Sequence, residues 1–219
     1  MEELVAHQSD DVCSEILTVF SGAHYLGFIA TGSKDHARSC VGLMDRRIPL
    51  LGKLQRFRDQ GEAMCSLSSI LFSLGRNSES AAWCQRARDV GTAHGLFSLE
   101  STACVGLGGS AMEEGRPEEG LELLRNGLVA AELNELDDPK YELNALKSLI
   151  VALFSTNLID EVDPLVLRYR EAAKASSEKE GGGSSVFPEF NSLLCSARLH
   201  EVLCLCTRVD NFYPRLVYC

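Results

Sequence analysis

The sequence predicts an all-α fold in which antiparallel helix pairs stack as an α-solenoid, and three observations support this. Period-two alternation of β-branched and aromatic residues, the mark of strands, is nearly absent. Apolar residues recur instead with the spacing of one helix face, for example Leu67, Ile70, Leu71 and Leu74. Residues typical of helix ends come 43, 40 and 42 residues apart, and they are Gly32, Gly75, Gly115 and Asn157. A nearly constant period of helix pairs indicates a repeat array rather than a single bundle.

Each predicted pair consists of one helix before its turn residue and one helix after it. The segment 23–44 fits this template around Gly32. Asp59 and Glu62 form a capping-box pattern that predicts the start of the next first helix, which ends at Gly75. Its partner is predicted from about Ser78 to a stop near Gly95.

The last two pairs follow the same rules. One first helix ends at Gly115, and Pro117 stands at the first position of its partner, which is predicted to end near residue 133. Asp138 and Pro139 open the next first helix, with a turn at residue 157 and a second helix over 160–174. The array therefore contains about four helix pairs.

Small residues at two positions of the second helix explain why helical segments carry several glycines. Five residues after the turn the four units have Ala37, Ser80, Gly120 and Val162. Twelve residues after it they have Met44, Ala87, Gly127 and Tyr169. Glycine costs a helix interior roughly 0.5–1 kcal/mol relative to alanine. We therefore expect these positions to offset that cost by letting the helices pack closely.

This register resembles the tetratricopeptide repeat (TPR), and the best matching unit has Leu107-Gly108, Ala111, Gly115, Gly120 and Gly127. The resemblance covers roughly residues 20–174. The spacing of 40–43 residues is similar to that of the long, kinesin-light-chain type of repeat. The resemblance implies a right-handed superhelix whose inner groove binds peptides or helices of other proteins.

Composition shifts divide the 219-residue chain into four predicted regions. The repeat array is assigned to residues 1–175, and a Gly/Ser-rich linker to 176–186. An additional apolar helix is predicted over 187–206, and an irregular tail over 207–219.

The net charge and the cysteine content restrict which kinds of partner and which cellular compartment we expect. The formal net charge of −10 disfavours binding to nucleic acid or to anionic membranes. The longest strictly apolar run, residues 149–154, has six residues, against about 20 for a membrane span. Nine scattered cysteines and an acidic N-terminus predict a cytoplasmic protein with reduced thiols rather than a secreted one. We expect no nucleic-acid or membrane partner.

The sequence has no clear motif for catalysis or for metal binding. The five histidines fit no spacing of a hydrolase or metalloprotease motif; His24 is expected partly buried, and His94 solvated. Cysteines near the C-terminus, with His200, are the best metal candidates, but their spacing does not suit tetrahedral zinc; these are Cys195, Cys204, Cys206 and Cys219. We predict no enzyme activity, no metal and no cofactor.

The candidate binding site is a stripe along the first helices. The TPR resemblance implies that residues three positions before each turn, and others further back, face the inner groove. The predicted groove residues are Glu62, Ser69, Phe72, Thr102, Val105, Met112, Asn144, Lys147, Val151 and Phe154. The competing interpretation is that long repeats fold this stripe into a wider core.

The expected function is a non-catalytic scaffold whose partner is a peptide or amphipathic helix of another protein. Self-association is left open. The alternative is a fragment or regulatory domain of a larger TPR-containing sensor, regulator or motor adaptor.

Overall fold

The computed structural model describes residues 9–179 apart from Glu135 and Asp137, and this part of the chain contains eight α-helices. A 3₁₀ turn, Ile159–Glu161, precedes the last of them. The helices are α1 (Asp10–Thr31), α2 (Lys34–Lys53), α3 (Phe57–Ser73), α4 (Asn77–His94), α5 (Phe97–Glu113), α6 (Pro117–Glu132), α7 (Pro139–Ser155) and α8 (Val162–Lys179). The predicted all-α fold is confirmed.

The helices follow one another as stacked antiparallel pairs. α1 packs on α2, α3 on α4 and α5 on α6, while α2, α4 and α6 each also contact the first helix of the next pair. First helices contact one another as well, α3 with α5 and α5 with α7. Side chains of α8 reach α6 and α7, because Arg168 Nη1 lies 2.6 Å from Glu132 Oε1 and Arg168 Nε lies 2.6 Å from Glu142 Oε1. This connectivity is that of an α-solenoid.

All four predicted turn residues lie where the first helix of a pair ends. Gly32, Gly75 and Gly115 have φ of 65°, 74° and 74°, and Asn157 has φ of 60°. This left-handed conformation favours glycine, and asparagine is among the few other residues that tolerate it. The pair boundaries could therefore be predicted from single residues.

Small residues lie at the closest approach of helices, as predicted. A Cβ atom added at Gly120 would lie 2.8 Å from Met112 Sδ and 3.1 Å from the carbonyl oxygen of Gly108. A Cβ atom at Gly127 would lie 3.2 Å from Cys104 Cβ. The backbones of α5 and α6 therefore come together more closely than a pair of side-chain-bearing residues allows.

Two boundaries differ from the prediction. α3 begins at Phe57, so Asp59 is not its N-cap; instead the Asp59 carboxylate accepts a 2.6 Å hydrogen bond from Arg56 Nε. α8 ends at Lys179, so the first four residues of the predicted linker are helical. The rest of the linker, the helix predicted over 187–206 and the predicted tail lie outside the described residues.

The chain divides into two compact units, residues 1–169 and 170–219. The first unit contains α1 to α7 and the first part of α8. In the second unit the structure describes residues 170–179, which continue α8.

α1 differs from the other helices in its surface. By length and composition alone it could cross a membrane, and 22% of its most apolar 18-residue stretch is buried in the fold. The longest run of strictly apolar residues, 149–154, lies outside α1, so it did not indicate a possible membrane span there. Its buried residues, Cys13, Ser14, Leu17 and Ser21, lie on the side that packs on α2.

Candidate protein-binding groove

The ten predicted groove residues all lie on the first helices α3, α5 and α7, and none of them is buried. Five are exposed, namely Glu62, Ser69, Phe72, Asn144 and Val151. Five are half-buried, namely Thr102, Val105, Met112, Lys147 and Phe154. The two large apolar side chains Phe72 and Val151 are 39% and 47% exposed. The five exposed residues do not fill a core, whereas the Met112 side chain packs beside Gly120 between α5 and α6. Both the groove and the alternative of a wider core therefore stay predictions.

An open concavity of about 340 Å³ lies along these helices. Three predicted residues line it: Glu62 and Ser69 from α3, and Thr102 from α5. α1 contributes Tyr25, and α7 contributes Lys140 and Tyr141. First helices of all four pairs therefore meet at one surface.

Several lining residues were missed by the sequence reasoning. Ser98 and Lys140 each stand 17 residues before their turn residue, one helical turn beyond the last row of the predicted stripe. Extending the stripe by that turn would have found them. Tyr25 belongs to a different row, and nothing in the sequence indicated that it faces this concavity.

Three hydroxyl groups of the concavity donate their protons to backbone carbonyls of their own helices. Ser66 Oγ donates to the carbonyl oxygen of Glu62 at 2.9 Å, and Ser69 Oγ donates to that of Cys65 at 3.1 Å. Thr102 Oγ1 does the same to the carbonyl of Ser98 at 3.0 Å. A hydroxyl has one proton but two lone pairs, so these oxygens face the concavity as acceptors.

Charged groups at the concavity are largely paired. Lys140 Nζ lies 2.7 Å from Asp138 Oδ2 and 5.0 Å from the centre of the Tyr141 ring. The hydrogen bond to Asp138 raises the pKa of Lys140. Arg58 Nη1 donates to Ser98 Oγ at 3.0 Å, and the carboxylate of Glu62 belongs to an exposed side chain. An exposed carboxylate among acceptor oxygens favours hydrogen-bond donors in a partner.

Two basic residues of the segment 34–58, which is rich in lysine and arginine, form ion pairs that link α1, α2 and α3. Arg56 pairs with Glu15 at 2.7 Å and with Asp59 at 2.6 Å. Lys53 pairs with Asp10 of α1. The first pair is thereby joined to α3 by charge as well as by packing.

Histidines and cysteines of the described region occupy structural positions. His24 is half-buried, with its Nδ1 3.1 Å from His36 Nδ1, and His94 is exposed and stacks on Phe57 at 3.7 Å between ring centres. Burial raises the pKa of the Cys65 thiol, which disfavours a reactive thiolate. Among the residues that the structure describes, no group of three or more His, Cys, Asp or Glu side chains could hold a metal ion. Cys195, Cys204, Cys206, Cys219 and His200 lie outside the described residues.

Comparison with solved structures supports the repeat assignment. A variant form of a putative kinesin light chain from Podosopora anserina, with nearly identical TPR-like repeats, superposes with a TM-score of 0.57. It is 16% identical, and the match covers 91% of this chain and 99% of that one. Another structure of this kind from the same organism has a TM-score of 0.52 at 12% identity, with 92% and 97% covered.

A third structure, BtubC (BKLC) from P. vanneervenii, has a TM-score of 0.47 at 10% identity, with 97% of this chain and 96% of that one covered. No family model and no curated protein matches the sequence. At these identities the likeness concerns the fold. The chain thus folds as an array of TPR-like repeats similar to those of kinesin-light-chain structures.

Proposed function

We propose that this chain is a non-catalytic scaffold that holds a peptide or amphipathic helix of another protein against the first helices α3, α5 and α7. The observation that carries the proposal is the concavity to which all four first helices contribute. Exposed apolar side chains alone would not define a site. Here the exposed apolar side chains lie on the same stripe of the first helices as the polar residues that line the concavity.

The groove has two chemically different ends. Near the turns it offers Phe72, Met112, Val151 and Phe154, which are exposed or half-buried. Toward the N-termini of the first helices it offers the acceptor oxygens of Ser66, Ser69 and Thr102 beside Glu62. On α3, Phe72 and Glu62 are ten residues apart, about 15 Å along the helix axis.

A fitting partner segment therefore places an apolar side chain at one edge and hydrogen-bond donors, such as a guanidinium, at the other. An extended peptide spans this distance with about five residues. We propose no nucleic-acid or membrane partner, since the charge of −10 opposes both phosphate-rich classes. A cytoplasmic location belongs to the same proposal, because the five buried cysteines of the described region are not joined in disulfide bonds.

The test uses peptides selected from a random library displayed on phage against the whole chain. Their affinity is measured by fluorescence anisotropy for the wild type and for the variants Phe72→Glu and Val151→Glu, whose side chains are 39% and 47% exposed. Burying one large apolar side chain contributes about 1.5–3 kcal/mol, so each variant is expected to weaken binding by roughly 10- to 100-fold. Val129→Glu is the matched control, since Val129 is 55% exposed on the second helix α6.

Circular dichroism and thermal melting separate the two interpretations of the stripe. The proposal requires Phe72→Glu to melt like the wild type while peptide binding is lost. If the melting transition collapses, Phe72 belongs to the core. If peptides bind the variant as well as the wild type, the groove is not the binding surface.

A further inference from the structure

α1 carries a set of exposed apolar residues in addition to the groove residues of α3, α5 and α7. Six apolar residues on it alternate with spacings of four and three, and they are Val12, Ile16, Val19, Ala23, Leu26 and Ala30. We call this set the α1 seam. A 4-3 spacing has a mean period of 3.5 residues, which is the repeat of a helix that pairs with another helix in a coiled coil.

The α1 seam faces solvent. Val12, Val19 and Leu26 are 41%, 69% and 67% exposed. Ala23 and Ala30 are exposed, and Ile16 is half-buried. The opposite side of α1 packs on α2, where Cys40 Sγ donates to the carbonyl oxygen of Ser21 at 3.3 Å. Apart from the half-buried Ile16, the seam therefore lies outside the core of the first pair.

The residues of the α1 seam can be compared with those at the same repeat positions of α3 and α7. Counted from the turn residue, the positions of Ile16, Val19, Ala23, Leu26 and Ala30 are occupied in α3 by Asp59, Glu62, Ser66, Ser69 and Ser73. The same positions in α7 hold Tyr141, Asn144, Ser148, Val151 and Ser155. The fold thus accepts polar residues at these positions, and the apolar set on α1 needs a different explanation.

The seam suits a helix better than a lipid bilayer. One side of α1 is already covered by α2, and its first turns carry Asp10, Asp11 and Glu15. A membrane span is apolar on all sides that meet lipid. Alanine at every second seam position toward the C-terminal end of α1 leaves room for the large side chains of an apposed helix.

We propose that the α1 seam pairs two copies of this chain through an antiparallel α1–α1 contact with twofold symmetry. In this arrangement Val12 lies opposite Ala30 of the other copy, and Val19 lies opposite Ala23 of the other copy. Val12 and Val19 then each meet a small side chain, and Ile16 lies opposite Leu26 of the other copy, so the same residues form both halves of the contact, as an isologous interface requires. The contact runs from residue 12 to residue 30, about 27 Å of helix.

Charge selects the antiparallel orientation. Asp11 is exposed at one end of the seam, and Lys34 is exposed just beyond the other end, after the Gly32 turn. Antiparallel pairing brings Asp11 of each copy to the end of the seam where the other copy has Lys34. Parallel pairing would place the two Asp11 carboxylates side by side.

The first experiment measures the mass of the full chain by sedimentation equilibrium from low to high micromolar concentration. The wild type is expected to form a dimer. Val19→Glu and Leu26→Ser, which introduce the residues that α3 carries at those positions, are expected to be monomers with unchanged circular dichroism and melting. Val129→Glu is the control for added surface charge and is expected to remain dimeric.

The second experiment tests orientation at low salt. Asp11→Lys and Lys34→Asp are each expected to weaken the dimer by about tenfold, and the double variant to restore it, which only antiparallel pairing predicts. A monomeric wild type at every concentration overturns the proposal, and so does a dimer that survives Val19→Glu and Leu26→Ser. Binding to phosphatidylcholine vesicles that Leu26→Ser abolishes, by a chain that sediments as a monomer, would assign the seam to lipid instead.

Discussion

Two neighbouring glycines of α5 provide a matched test of why this chain places glycine in helix interiors. Replacing either Gly108 or Gly109 by alanine raises helix propensity by about 0.5–1 kcal/mol. Their surroundings differ. A Cβ atom at Gly108 would lie 2.7 Å from Leu124 Cγ and 3.0 Å from the carbonyl oxygen of Gly120, whereas a Cβ atom at Gly109 would have no neighbour within 4 Å.

The two variants are therefore expected to change stability in opposite directions. Gly109→Ala should stabilise the fold by about 0.5–1 kcal/mol. Gly108→Ala forces α5 and α6 apart, because Leu124 is 2% exposed and a backbone oxygen cannot rotate away. Overpacking of this kind costs about 1–3 kcal/mol, which outweighs the gain in propensity and leaves a net loss of up to about 2.5 kcal/mol.

Urea and thermal unfolding followed by circular dichroism measure both changes. For a chain of this size, 1 kcal/mol shifts Tm by about 2–4 °C. The two melting temperatures should thus lie on opposite sides of the wild-type value. If Gly108→Ala is as stable as Gly109→Ala, close helix approach is not the reason for glycine in this repeat.

Other variants test the packing, the ion pairs and the thiols. Gly127→Leu should destabilise the fold by about 1–3 kcal/mol in the same assay, since even a Cβ atom there would lie 3.2 Å from Cys104 Cβ. Arg168→Ala should cost about 0.5–1 kcal/mol, because the side chain contacts Glu132 and Glu142 but is 35% exposed, and high salt should reduce the difference. Burial raises the pKa of Cys65 above that of an unfolded thiol, near 8.5, so the thiol's contribution to the free energy of unfolding is full below that pH and is lost as pH rises. Cys65→Ala should accordingly lose less stability between pH 8 and pH 10 than the wild type, and a larger loss would contradict this account. Chelators should leave helix content and melting unchanged; stoichiometric zinc whose removal unfolds the chain would refute that expectation.

Helix pairs could be predicted because their boundaries depend on single residues. A left-handed φ is tolerated by few side chains, so Gly75 and Asn157 mark turns whatever surrounds them. The start of α3 could not be predicted in this way. Arg56 draws Asp59 into an ion pair that also includes Glu15, a residue more than 40 positions earlier. A contact of that sequence separation leaves no local pattern.

Spacing within one helix also explains which residues of the concavity could be predicted and which could not. Spacing alone decides which residues of one helix share a face. It therefore predicted that Glu62, Ser69 and Thr102, which line the concavity, lie on one face of their helices. Tyr25 and Tyr141 enter it through the rotation of α1 and α7 relative to α3. That rotation is set by packing across several helices, and sequence spacing within one helix does not contain it.

The same repeat positions carry two different chemistries along the chain, and this separates the proposed surfaces. Where α3 has Glu62 and Ser69 in the groove, α1 has Val19 and Leu26 on its seam. A repeat array tolerates such divergence because each pair contacts mainly its neighbours, so the surface of one unit changes without cost to the next. Val19→Glu should therefore abolish pairing of α1 without weakening a peptide bound to α3 and α5, and Phe72→Glu should do the reverse. If either variant removed both dimer formation and peptide binding, the seam and the groove would be one site. The assignment of two binding surfaces to different repeats would then be wrong.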